Sequence, residues 1–475
     1  MESPKPHIAL LSSPGLGHLI PILELGKRLL SLHGFHITIF VTTTQASTAQ
    51  SQLLNSQTVP GKLTIVELPP ADISSLVRPD TAIEITICII VRESIPALQS
   101  AILAMTQQPT VLIVDIFGID AFEIADQFQI PKYVFITSSA IFLALTVYVP
   151  TLDGLVVGEY VDLQEPIRVP GCNPIRPDDV VDPMLDRKHE RYSVYVDICF
   201  RLLMAHGLFL NTWEDLEPIT IRALREDIVT FTPPIYPIGP LMRSVGPPIA
   251  GRECLDWLDM QRTESVLYVS FGSGGTISAE QLTELATGLE LSQQRFIWVV
   301  RAPTKKDASA TFFTSGNGHD DLSEYFPDGF LTRTREVGLM VPQWAPQVEI
   351  LSHPSIGGFL SHCGWNSTIE SIMNGVPMIA WPLYAEQRMN ASILTEDLNV
   401  AVRPEILPAK GVVGRKEIER MVRRVMEGEE GNELRGRVRE LRSSALKSLN
   451  EGGSSYNSLS QVARKWEMSD KNMRS

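Results

Sequence analysis

Short runs of β-branched and aromatic residues alternate along this chain with longer stretches whose apolar positions recur every three to four residues. That alternation predicts βαβ units wound into parallel sheets. The first half carries five such runs, "HIALLSS", "HITIFVTT", "LTIVELP", "TVLIVD" and "KYVFITS", with helix-period segments such as "LIPILELGKRLLSLHG" between them. The second half repeats the scheme with "SVLYVSFGS", "RFIWVV", "GLMVPQW", "SIGGFLSH" and "PMIAWP". Between the halves "YPIGPLMRSVGPPIAGRE" is rich in Pro and Gly and reads as a linker. The predicted organisation is an α/β domain over 1–240, a linker over 241–253, a second α/β domain over 254–455, and a C-terminal helix over 456–475 packing back on the first domain.

Doubly wound sheets of order 3-2-1-4-5 bind ligands beyond the carboxyl ends of strands one and four, where the winding reverses. In the first half the residues at those ends are His18 and Asp115, and in the second half Ser273 and His362. The polar residues stand where the rule wants them.

Composition narrows the picture by exclusion. With 475 residues, 44% of them hydrophobic and 20% charged, the chain has ample material for two globular cores. A net charge of −14 argues against a nucleic-acid partner. Five widely spaced cysteines without a Cys-x-x-Cys pair fit a reducing cytosol, so a cytoplasmic location is expected. The apolar start "HIALLSSPGLGHLIPIL" is broken by Pro14, Gly15, Gly17 and His18 and reads as strand and turn, not a signal peptide. The apolar run "AIFLALTVYVP" is too short to span a bilayer, and no membrane insertion is expected. The polar stretch 305–324 shows neither period and reads as a long surface loop.

The densest chemistry lies in "SHCGWNS", Ser361 to Ser367. A metal needs three or four ligands, and only His362 and Cys363 qualify. A thiol nucleophile needs a base and a positive pocket, and Cys363 has neither in view. In "NSTIESIMNGVP", Asn366 and Ser367 are N-cap residues, Ile369, Ile372 and Met373 form an apolar face, and Gly375 with Pro377 ends a helix. A helix start behind Gly364 suits a phosphate. A plain capping box between Ser367 and Glu370 is the competing reading.

The wider window settles the direction. From Trp344 to Gln387 the chain reads "WAPQVEILSHPSIGGFLSHCGWNSTIESIMNGVPMIAWPLYAEQ", which resembles, nearly residue for residue, the signature of plant secondary-product UDP-sugar glycosyltransferases. "SSPGLGHLIP", "VSFGS" and "NTWEDLEP" are similar to the same family, and the "WVVR" and "MNA" regions resemble its branch acting on phenolics such as hydroquinone and hydroxycinnamyl alcohols. The resemblance implies the GT-B fold, two Rossmann-like domains facing across a cleft, with the acceptor on the first and UDP-glucose on the second. It further implies that Trp344 stacks on uracil, that Ala345 and Gln347 read the base edge, and that Glu370 takes the ribose hydroxyls. By the same resemblance Ser273, His362, Asn366 and Ser367 hold the diphosphate, and Trp365, Glu386 and Gln387 face the sugar. Glu386 stands where many members have the shorter Asp. Ser138 or its neighbour Ser139 stands where the family often has a sugar-touching Thr, and Ser138 is preferred.

Moving a sugar from UDP to a phenol needs a base, an in-line approach and a stabilised leaving group. His18 is the candidate general base, and Asp115 can fix its tautomer and stabilise the imidazolium, as the Asp of a serine-protease triad does. Phe117 and the apolar run Ile141 to Tyr148 suit a flat aromatic acceptor. No Asp-x-Asp follows the strand ends that face the ligand, so neither a metal nor any cofactor is expected beyond the UDP-sugar co-substrate. The resemblance further implies that Gln387 goes with glucose, where His is common in galactose users. The "SPGLGH" turn lacks the third small residue of a dinucleotide fingerprint, which disfavours a nicotinamide enzyme. A non-catalytic binder of nucleotide sugars on the same fold is the rival reading. Nothing in the sequence sets the oligomeric state, and a monomer is compatible with it.

Overall fold

The computed structural model describes residues 5–43, 54, 61–78, 80–226, 228–229, 232–243, 252–303 and 325–474, with side chains to 469. The central linker stretch 244–251 and the stretch 305–324 lie outside the described residues. The chain forms two compact units, one of 1–177, 183–242 and 447–475, the other of 178–182 and 243–446. The sequence reading assigned 447–455 to the second domain and 178–182 to the first, and both segments belong to the opposite unit. For 178–182 the physical reason is charge. Arg388 donates to the Asp182 carboxylate and to the Val180 carbonyl (3.1 Å), Arg403 pairs with Asp179 (3.3 Å), and Lys410 pairs with Asp178.

In the first unit seven parallel strands run in the order β3-β2-β1-β4-β5-β6-β7, with β1 at His7–Ser12, β2 at His36–Thr42, β3 at Leu63–Leu68, β4 at Val111–Asp115, β5 at Lys132–Ile136, β6 at Gly207–Leu210 and β7 at Ile235–Pro237. β1 and β4 pair with Ile8 opposite Val111 and Leu11 opposite Val114, so both strands end at the same edge. Helices cover both faces, which is why these strands are continuous apolar runs and not alternating ones. Helix Ser454–Arg474 sends Leu459, Val462, Ala463 and Trp466 into the core that holds Ile8, Leu10 and Phe209. The Trp466 ring sits edge-on to Tyr133 at 5.3 Å between centroids.

Helix Ile83–Leu103 differs from the expectation that no apolar stretch reaches bilayer length. By length and composition it does, despite Arg92 and Glu93, and half of its most apolar window is buried inside the unit.

The second unit has six parallel strands in the order β10-β9-β8-β11-β12-β13, with β8 at Val266–Ser270, β9 at Arg295–Val300, β10 at Gly338–Pro342, β11 at Ile356–Ser361, β12 at Met378–Ala380 and β13 at Ala401–Val402. β8 and β11 are neighbours, with Ser270 opposite Ser361, so the loops carrying Ser273 and His362 leave the same edge. Trp298, Trp381 and Phe296 fill the core against helices Ala279–Ser292 and Arg415–Met426.

Candidate active site

His18 lies in the first turn of helix Leu16–His33, which starts after Gly15 at φ 103°, a conformation glycine adopts without strain. Its Nδ1 is 3.4 Å from Oδ2 of Asp115, the fully buried last residue of β4. Three donors saturate that carboxylate: the Ser13 backbone N–H reaches Oδ2 at 2.7 Å, the Ser13 hydroxyl reaches Oδ1 at 2.5 Å, and the Phe117 N–H reaches Oδ1 at 3.0 Å. Burial pushes the Asp115 carboxyl up, but His18 and the Ser13 donors outweigh it and hold the group below the usual carboxylate range. An ionised Asp115 at Nδ1 favours the tautomer whose Nε2 lone pair is available to take a proton. The half-buried Phe117 ring packs on His18 at 5.2 Å and 60°.

Of the two serines after β5, Ser139 caps helix Ala140–Leu155 by accepting from the Phe142 N–H at 3.2 Å. Ser138 is not the cap. Buried Glu217, within "NTWEDLEP", accepts from the N–H groups of Ala140 (2.9 Å) and Ile141 (3.0 Å) and from the Thr212 hydroxyl (2.7 Å), fixing the same helix start.

In the second unit, Trp344 follows Gln343, whose φ is 63°, and keeps 43% of its surface exposed although it is a large apolar side chain. Ala345 beside it is buried. Gln347 opens helix Gln347–Leu351, and its Nε2 donates to the Ser367 hydroxyl at 2.9 Å and to Glu370 Oε2 at 2.7 Å. These bonds displace the competing capping-box reading. Helix Trp365–Asn374 is capped at Gly364 without any side-chain bond, so Ser367 lies a turn too deep to cap it, and the amide of Gln347 holds both box partners. Burial raises the Glu370 carboxyl to about 7, against the pull of Gln347 and Arg243, and Glu349 adds to the rise. Behind it Arg243 and Glu349 form an ion pair of 2.6 Å.

His362 is buried, with its ring wedged between Gly272 and Gly364, where an added Cβ would fall 2.4 and 2.5 Å from Nε2. Only glycine fits at either side, and Gly272 also has φ +75°. Burial first and Arg301 second lower the ring to about 4, so it is neutral at physiological pH. Ser273 is exposed, Asn366 half-buried, and Trp365 buried at the helix start. Cys363 is buried, and burial pushes its thiol up to about 12, which removes it as a nucleophile.

Gln387 is buried with a fixed orientation: its Oε1 accepts from the N–H groups of Leu383 (2.9 Å) and Tyr384 (3.1 Å), which turns its amide nitrogen away from those donors. Glu386 is half-buried and accepts from Asn390 at 3.4 Å, while the same Asn390 amide donates to the Cys363 carbonyl at 3.0 Å. Asn390 therefore joins the loop after β11 to the turn after β12. Sequence reasoning missed Ser13, Glu217, Arg301, Arg388 and Asn390. Their only signal was position: Ser13, Glu217, Arg301 and Asn390 lie within the quoted motifs, and Arg388 directly follows one.

The chain matches the family model described as "UDP-glucoronosyl and UDP-glucosyl transferase" over residues 246–413. It is 56% identical to an anthocyanidin 3-O-glucosyltransferase of Manihot esculenta, over 99% of this chain and 97% of that one. It is 46% identical to a hydroquinone glucosyltransferase of Rauvolfia serpentina, over 97% and 98%. The crystal structure of TcCGT1 in complex with UDP aligns with a TM-score of 0.93 at 55% identity, covering 98% and 99%. The fold is therefore that of a two-domain GT-B glycosyltransferase. Within that class the chain belongs to the UDP-glycosyltransferase family of plant secondary metabolism, and it is a UDP-glucosyltransferase related to the enzymes that glucosylate phenolics.

Proposed function

We propose that the enzyme transfers glucose from UDP-glucose to a hydroxyl of a small phenolic acceptor by a single inverting displacement, giving a β-O-glucoside. The observation that carries this reading is the His18–Asp115 pair locked by Ser13, in one chain with a full donor signature. Nε2 of neutral His18 takes the phenolic proton as the oxygen attacks the anomeric carbon. Asp115, already ionised, stabilises the imidazolium that forms. The C1–O bond to the diphosphate breaks with its electron pair on UDP, which His362, Ser273, Asn366, Ser367 and the N–H groups opening helix Trp365–Asn374 receive. Trp344 supplies a face for uracil, Ala345 and Gln347 its edge contacts, and Glu370 the ribose contact. At the sugar, Glu386 accepts and Gln387 donates, a pattern that suits adjacent equatorial hydroxyls and that an axial 4-hydroxyl leaves partly unpaired. Trp365 offers no cation for a glucuronyl carboxylate, and Ser138 adds a hydroxyl to the sugar pocket.

Phe117 on His18 suits an aromatic acceptor, in line with relatives named for anthocyanidin and hydroquinone. Five free cysteines support a cytoplasmic enzyme. We take it to act without a metal, membrane insertion or a nucleic-acid partner, and the mechanism requires no second copy of the chain.

Incubation with UDP-glucose and hydroquinone, with released UDP assayed and the product's anomeric proton read by NMR, tests the reading. Stoichiometric UDP and glucoside with a β coupling constant are expected. Binding of UDP-glucose without turnover on any phenol would leave the non-catalytic binder, and an α-glycoside would overturn the displacement.

A further inference from the structure

Arg301 directly follows β9 and is turned entirely toward carbonyls. Its Nη1 donates to the Gly272 carbonyl at 2.5 Å and to that of Gly275 at 3.2 Å, and its Nη2 to the Gln343 carbonyl at 3.0 Å. Among the described residues it forms no ion pair, and burial lowers its basicity against the pull of the neighbouring carbonyl and phenol dipoles. A guanidinium does not shed its proton in a protein, so this is a full positive charge held in a largely desolvated place without a counter-ion among the described residues. Proteins rarely keep such a charge unless a bound anion completes the pair.

The carbonyls it holds belong to the loop after β8, which carries Ser273 and whose Gly272 backs directly onto the His362 ring. The third carbonyl, of Gln343, sets the left-handed residue before Trp344. The depressed basicity of His362, to which Arg301 contributes, agrees with a positive field reaching that ring.

We propose that Arg301 is the standing counter-charge for the donor's diphosphate, a positioning residue that shapes the Gly272–Gly275 loop and, through it, lends positive potential to the bound and departing UDP. The proposal rests on the donor-site reading above. A strut that merely braces the loop and Trp344 would serve uridine and UDP alike. A counter-charge serves only the ligand with phosphates.

Titration calorimetry of wild type, Arg301→Gln and Arg301→Lys with UDP and with uridine separates the two. Loss of the charge in the Gln variant is expected to weaken UDP about ten- to thirtyfold, with uridine changed less than about threefold. The Lys variant, which keeps the charge but not the fork of donors, is expected to stay within about threefold of wild type for UDP. Equal loss of uridine and UDP affinity in either variant, or no loss of UDP affinity in the Gln variant, would overturn the proposal. Should the Gln variant not fold, a folded Lys variant that loses UDP affinity as steeply as about thirtyfold overturns it and one that retains it supports it. Wild type that binds neither UDP nor UDP-glucose would instead refute the donor-site reading.

Discussion

With Glu370 on the ribose as proposed, its raised carboxyl is expected to tie donor affinity to pH. Burial raises it from 4.5 to about 7, so in the empty site it is half protonated near neutrality. To accept two ribose hydroxyls it must be ionised. The ionised fraction is roughly a tenth at pH 6 and nine-tenths at pH 8, so UDP-glucose affinity is expected to rise about tenfold between them. UDP-glucose is the right probe, because its diphosphate diester does not titrate in this window. The same shift has a stability consequence with a definite sign. A carboxyl whose folded value lies above its unfolded one stabilises the fold below about 4.5, and that contribution is lost as pH rises through about 7, a change of roughly 3 kcal/mol. The Glu370→Gln variant without ligand is therefore expected to melt higher than wild type at pH 8 and alike at pH 4.5, and to bind UDP-glucose more weakly with a flat pH profile. Calorimetric titration from pH 5.5 to 8.5, in buffers of different ionisation enthalpy, reads both affinity and proton release. A flat profile in wild type, or the same slope retained in the Gln variant, would refute the reasoning.

His18→Ala is expected to lower kcat for phenols by about 10²- to 10⁴-fold while the Kd for UDP-glucose stays unchanged, which steady-state kinetics and calorimetry check together. Dialysis against EDTA is expected to leave turnover intact; activity lost and then restored by Mg²⁺ or Mn²⁺ would contradict it. Asp182→Asn frees Arg388, the residue next to Gln387, and the Asp182 N–H also donates to the carbonyl of Ala385, two residues before Gln387, at 3.2 Å. The expected result is a KM for UDP-glucose raised about three- to tenfold with the Ki for UDP unchanged.

Long apolar strands announced themselves, since "HITIFVTT" and "RFIWVV" carry enough β-branched and aromatic residues to be unambiguous. The strands that went unread are β6, β7 and β13, of four, three and two residues, while β12, as short as β7, was legible only through the apolar run "PMIAWP" around it. His18 and Asp115 were legible because the switch-point rule needs only strand order and strand ends. Ser13 was not, because its grip on Asp115 depends on the register of β1 against β4, a contact 102 positions away in sequence. The capping box failed for a similar reason: Gln347 lies 23 positions before Glu370 and reaches it only once helix Gln347–Leu351 is in place. Arg301 and Arg388 carry no period or spacing that marks them, and their meaning comes from the carbonyls and the carboxylate around them.

The chain's itinerary bears on how donor and acceptor halves could be exchanged among relatives. A recombinant cut only at 242/243 would leave Arg388, Arg403 and Lys410 without the acidic segment that faces them, and would strip Trp466 from the aromatic cluster of the other half. A transplantable donor module is therefore discontinuous: residues 243–446 together with the five-residue insert 178–182, while 447–475 must travel with the recipient's amino-terminal part. Breeding new donor and acceptor combinations in this fold is thus a four-junction problem in which the smallest piece carries three of the charges that hold the donor module together.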